Sequence, residues 1–251
     1  MTLLLKLVLA PLLVVGSSLA GRRWGDRVAG MLAALPIVAG PILLITALEH
    51  GPGFGAGAAA GSLLGLVSLA VFVVSFAYAG RRLDWLPALA VSWATTIAVD
   101  ILLSRWPFDP YWTVTLVLVV AVVADRLVGR VDDEVTGPVG VALPWWDLPA
   151  RAAATAALVL TVTGVSATVG PAVTGILAPF PIASSVIAAF VRAHQGPAAT
   201  VRTLAGVTRG LPAFAAFSFV LAVLLVPLGV AGAFLAAVAG AMVVQLAGRV
   251  R

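Results

Sequence analysis

The chain is a succession of long apolar runs separated by arginine, glycine and proline. A helix needs ~20 mostly apolar residues to cross a bilayer. Read between charged or Gly/Pro punctuation, the sequence predicts about nine such helices. They cover residues 3–20, 28–48, 56–79, 85–103, 111–129, 150–168, 172–191, 200–226 and 230–247. The connections are short, and no stretch is long enough for a separate soluble domain. The first run, Leu3 to Ala20, resembles a signal peptide, with Ser17-Ser18-Leu19-Ala20 near a cleavage-like end. It is read as a retained helix because the repeat described below includes it.

Composition narrows the class further. Of 251 residues, 62% are hydrophobic and 10% charged. Soluble domains average ~45–50% apolar and ~25% charged, so a water-soluble domain is excluded. Disorder is excluded as well, because it requires low hydrophobicity and high charge. The absence of cysteine removes disulfides, thiol nucleophiles and cysteine-ligated metals. The net charge of +5 does not point to nucleic acid here. The arginines sit between apolar spans, where they act as orientation signals.

With the N-terminus outside, the inside segments hold Arg22, Arg23, Arg27, Arg81, Arg82, Arg126, Arg130, Arg151, Arg192, Arg202, Arg249 and Arg251. The outside segments hold Lys6 and Arg105, and Arg209 falls within a span. The positive-inside rule therefore predicts a multi-pass inner-membrane protein, N-terminus out and C-terminus in the cytoplasm. Trp106, Tyr111 and Trp112 fall at the outer interface. Trp24, Trp85, Trp145 and Trp146 fall at the inner one, as aromatic belts require.

The chain also matches itself without gaps when displaced by 145 residues. Gly25, Val28, Gly30, Leu32, Pro36 and Ile37 fall on Gly170, Val173, Gly175, Leu177, Pro181 and Ile182. Gly51, Pro52, Gly61, Gly65 and Leu66 fall on Gly196, Pro197, Gly206, Gly210 and Leu211, and Phe72 on Phe217. Helix punctuation kept in register this way marks a duplication. Five crossings precede the second copy, so it enters the membrane from the opposite side. The arginines agree: Arg22, Arg23 and Arg27 correspond to Ala167, Thr168 and Ala172, while Arg192 and Arg202 correspond to Ala47 and Gly57. The expected fold is an all-α membrane bundle of four plus one plus four helices. Residues 1–106 form the first repeat, 107–145 a linking helix and cytoplasmic loop, and 146–251 the inverted second repeat.

Inverted repeats recur in secondary transporters, with the site at the repeat interface near the midplane. Pro36, Gly40 and Pro41 lie inside span two, and Pro179, Pro181, Ser184 and Ser185 at the matching place in span seven. An interior proline removes a backbone bond and breaks the helix. The freed carbonyls, with the two serine hydroxyls, are candidate substrate ligands; a packing kink eased by Gly40 is the alternative. Asp100 and Arg209 are ionisable residues within spans, which defaults them to functional candidates. Arg209 lies ~13 Å along its helix at ~1.5 Å per residue. It shares a face with Arg202 and either holds an anionic group or snorkels to the cytoplasmic surface. Asp100 is matched by Gln245, so this position is polar in both halves. Glu49 and His50, matched by His194 and Gln195, are expected as interfacial caps. Asp132-Asp133-Glu134 is expected as a solvated acidic turn. No Walker loop, His-Glu-x-x-His or nucleophile elbow is found, so no enzyme activity, metal or cofactor is predicted.

The segment Gly175 to Leu211 contains Leu177-Ala178-Pro179-Phe180-Pro181 and then Gly196. It resembles the GlpM-like family of small bacterial inner-membrane proteins. That family corresponds to one repeat of this chain, and the resemblance implies a fused form of an antiparallel pair. The whole chain is also similar to two-repeat bacterial membrane proteins. The expected partners are membrane lipids and a small or anionic substrate, with no nucleic acid. Two functions follow: a small secondary transporter or lipid translocator, or a non-transporting scaffold or accessory factor of envelope biogenesis. A central cavity lined by Pro36, Pro41, Pro181, Ser184 and Ser185 favours the first. A packed centre with lipid-facing grooves favours the second.

Overall fold

The computed structural model describes residues 2–34, 36, 39–103, 105, 109–135, 144–168 and 181–248, with backbone alone at 2, 3, 5, 6 and 162–168. The regular structure among them is entirely helical: α1 (Thr2–Trp24), α2 (Asp26–Ala33), α3 (Ala39–His50), α4 (Pro52–Gly80), α5 (Trp85–Leu103), α6 (Pro110–Glu134), α7 (Asp147–Thr168) and α8 (Ile182–Gly248). Pro52–Gly80, Trp85–Leu103 and Ile182–Gly248 are long and apolar enough to cross a membrane.

The last element, α8, is 67 residues long but not one rod. Gly196 (φ 83°, ψ −177°) and Gly229 (φ 67°, ψ 176°) leave helical geometry and divide it into segments 182–195, 197–228 and 230–248. The last two agree with the apolar runs 200–226 and 230–247; of the run 172–191, residues 172–180 lie outside the described residues. Gly51 (φ 90°, ψ 164°) makes the same break between α3 and α4. Positive φ is accessible to glycine because it lacks Cβ. At two of these three sites, Gly51 and Gly196, a proline follows: Pro52 and Pro197 start the next helix, where the missing N–H costs nothing.

The second apolar run is interrupted, as its prolines predict. Its helix stops at Ala33 and resumes at Ala39. Pro36 lies between, and its carbonyl accepts the Gly40 N–H at 2.7 Å. In the matching run, helix begins at Ile182, and the Pro181 carbonyl accepts the Ser185 N–H at 2.8 Å. Pro181 thus supplies the first acceptor of α8 rather than sitting in its interior. Pro179 lies outside the described residues.

The acidic triplet is corrected by the structure. It ends α6 rather than forming a free turn: Asp132 binds Arg27, and Glu134 accepts from Arg81 Nη1 at 2.6 Å. The first turn of α6 is capped by Asp109, whose carboxylate accepts the Tyr111 and Trp112 N–H groups at 2.9 and 3.2 Å.

The main core joins α4 (Leu63, Phe72, Phe76), α6 (Val117, Val128) and the middle of α8 (Val201, Leu204, Leu211). Tight helix crossings supply the rest of the packing. A Cβ at Gly30 of α2 would come within 2.8 Å of the Thr203 carbonyl carbon, and one at Gly206 within 2.9 Å of the Met31 nitrogen. Gly210 faces Ala34 in the same crossing. Gly206 and Gly210, four apart, give one smooth face on which α2 lies, the device membrane helices use for close approach. Large apolar side chains point outward on several helices, including Leu12, Trp112, Val122, Leu235 and Met242. In water such a perimeter is unfavourable; against lipid it is the expected outside.

Candidate functional site

The break in the second run shapes a groove. Pro36, Gly40, Pro41 and Leu44 form one wall, and Phe217, Phe234, Val238 and Ala241 the other, around a volume of about 590 Å³. Phe217 and Phe234 meet edge-to-face with centroids 6.1 Å apart. The lining is almost wholly apolar. Gln245 stands at one end; its Nε2 contacts Met31 Sδ, and its Oε1 is buried with no hydrogen-bond partner among the described residues. Val238 is 48% exposed and Met242 60% exposed, so the groove opens sideways along the apolar perimeter.

The predicted site residues are only partly brought together. Pro36, Gly40 and Pro41 line the groove; Pro181, Ser184, Ser185, Asp100 and Arg209 do not. Ser184 and Ser185 are buried, and Ser185 Oγ accepts the Trp93 indole N–H at 2.9 Å. Asp100 is buried on α5. The Ser68 hydroxyl binds its Oδ1, while Oδ2 is buried without a partner among the described residues. Thr96, one turn earlier on the same face, is fully buried. Arg209 lies 4.0 Å from Asp125, with both side chains about half exposed (53% and 49%). Its neighbour Arg202 donates to Asp26 at 2.9 Å. Glu49 and His50 end α3 in exposed positions, with His50 stacked on Phe54 at 4.9 Å.

Sequence reasoning missed a buried charge network. Asp147 is fully buried and Arg151 is 1% exposed. Arg151 grips both carboxylate oxygens of Asp147, at 2.9 and 3.3 Å, and reaches Ser18 Oγ at 3.3 Å. Arg22 donates to Asp147 at 3.1 Å, and His194 Nδ1 lies 3.3 Å from the same carboxylate. Phe190 sits under the Arg151 guanidinium at 5.3 Å. Two-point binding of a carboxylate by a planar guanidinium is the strong form of an ion pair. The network ties the end of α1 to the start of α7 and the first segment of α8. A signal existed in the sequence: Asp147 and Arg151 are spaced i, i+4. By position in the sequence alone, Arg151 reads as an orientation charge and His194 as a cap.

No protein-family model, curated protein or solved structure matches the chain. The described residues contain no cluster of three or more His, Cys, Asp or Glu side chains that would hold a metal.

Proposed function

We propose that this chain is a multi-pass inner-membrane protein of nine spans, built from two inverted repeats, that moves an amphipathic, lipid-like substrate along the groove. The groove itself carries the proposal: an apolar trough at a broken helix, open toward lipid, with a buried amide oxygen at its end that has no partner among the described residues. An acyl chain fits the trough, and a polar head fits the Gln245 end. The fused GlpM-like architecture is part of the same proposal.

Two sets of contacts support the topology. The ion pairs among the described residues join segments 22–27, 81–84, 125–134, 147–151 and 192–209 to one another. The nine-span assignment puts all of these toward the cytoplasm. The second set lies in two pairs of matched helices, whose contacts support the antiparallel arrangement that a twofold axis in the membrane plane demands. The end of α1 meets the start of α7 through Arg22 and Asp147. The start of α4 meets the far end of its 197–228 counterpart, where a Cβ at Gly55 would lie 3.3 Å from Leu225. The end of α4 accepts from Arg192 through the Gly80 carbonyl.

The close crossing at Gly30, Gly206 and Gly210 favours a second reading, a scaffold or accessory factor with a packed centre. One assay separates the two. Purified protein in phospholipid vesicles should speed the transbilayer movement of a fluorescent phospholipid. Leu44→Trp, which fills the trough, should abolish that gain while the protein still inserts. Equal rates in protein-free vesicles and in vesicles holding the wild-type chain would leave the scaffold reading.

A further inference from the structure

The groove has a repeat-related counterpart, and its side chains differ in an informative way. Displacement by 145 residues carries Pro36, Gly40, Phe217, Val238, Ala241 and Gln245 onto Pro181, Ser185, Phe72, Trp93, Thr96 and Asp100. The aromatic floor is kept as Phe72, which is fully buried. The end position remains polar, with Asp100 in place of Gln245. The mouth is different. Where the groove has Val238 facing Gly40 across open space, the counterpart has Trp93 facing Ser185. The indole N–H spans that gap and donates to the Ser185 hydroxyl at 2.9 Å. Behind it, Thr96 is 0% exposed and Asp100 5% exposed.

We infer that Trp93 closes a second binding pocket, the repeat-related counterpart of the groove, which takes an amphipathic ligand with a hydrogen-bond-donating or cationic head at Asp100. The inference rests on the inverted-repeat reading proposed above. A buried carboxylate with one oxygen unbonded among the described residues is costly in an apolar interior, and an ammonium or hydroxyl head satisfies it. The apolar floor of Phe72, with Leu89 packed on the same core cluster, suits the chain of such a ligand. The two pockets lie toward opposite faces in the nine-span assignment: Gln245 near the cytoplasmic end of its span and Asp100 near the outer end. One is open while the other is latched. In inverted-repeat transporters the two copies take different conformations; the open groove and its latched counterpart are such a difference between the two copies here.

The chain contains no cysteine, so single cysteines can report on each pocket. Thr96→Cys should resist a thiol-reactive maleimide in the parent and label readily once Trp93→Val replaces the indole with the residue found at 238. Ala241→Cys, in the open groove, should label in the parent. The reciprocal pair Gly40→Ser with Val238→Trp should close the groove and protect Ala241→Cys. Binding of a fluorescent long-chain amine should double in stoichiometry with Trp93→Val and return to the parental value when Asp100→Asn is added. A fatty acid of equal chain length should show no such gain. Continued protection of Thr96→Cys in a folded Trp93→Val variant overturns the proposal. If that variant does not fold, unaltered labelling of Ala241→Cys in the reciprocal variant overturns it instead. Failure of phospholipid movement alone removes the transport reading and leaves the labelling pattern of the two pockets intact.

Discussion

Replacing Gly206 with alanine tests the packing that holds the two halves together. An ideal Cβ there would overlap the Arg27 carbonyl oxygen and lie 2.8 Å from its carbon and 2.9 Å from the Met31 nitrogen. These are backbone atoms of α2, so no side chain can rotate away. The helix itself must shift by about 1 Å, and such overpacking costs roughly 3 kcal/mol at the upper end of its usual range. Alanine regains about 1 kcal/mol of helix propensity over glycine. The net loss is then ~2 kcal/mol, or roughly 4–8 °C in melting temperature for a chain of this size. Gly129→Ala is the control, because a Cβ there meets nothing within 4 Å. It should melt at or slightly above the parent temperature. Thermal unfolding of both variants in mild detergent, followed by circular dichroism, makes the comparison. Gly206→Ala melting as high as Gly129→Ala would falsify the close α2–α8 crossing.

Other expectations follow from the same geometry. Arg151→Ala strands a fully buried Asp147 with its strongest partner gone; a loss of about 3–5 kcal/mol is expected, read as a lowered melting temperature, with a parental melting curve as the contrary result. Alkaline phosphatase fused after Arg251 should be inactive and a fluorescent protein there should glow; an active phosphatase contradicts the nine-span orientation. Pro181→Ala should leave stability nearly unchanged, because α8 uses the carbonyl of this residue and not its N–H; a large shift in melting would refute that placement. Arg209→Ala should cost about 1 kcal/mol or less, since its pair with Asp125 is half exposed. Weakened binding of anionic lipid vesicles by this folded variant would assign the arginine to headgroup contact, and unchanged binding to snorkelling.

Much of the architecture was written locally. Apolar runs set the helices, so 85–103 and 230–247 agree with the structure to within a residue or so. Glycine and proline set the breaks: Gly51-Pro52 and Gly196-Pro197 act through their own backbone preferences, which need no distant partner. The same holds for Pro36, whose missing N–H interrupts the second run. Burial and pairing are different, because they depend on which helices meet. Asp147 and Arg151 look like ordinary interfacial charges until α1 and α8 close over them. Asp132 and Glu134 look like a solvated turn until Arg27 and Arg81 arrive from two other helices. Ser185 and Gly40 lie 145 residues apart, yet one bonds Trp93 and the other lines an open groove. That difference arises on α5 and on the last segment of α8, far away in the chain. Periodicity and punctuation are properties of neighbours in sequence; a pocket is a property of neighbours in space, and only the tertiary structure decides which side chains fill it.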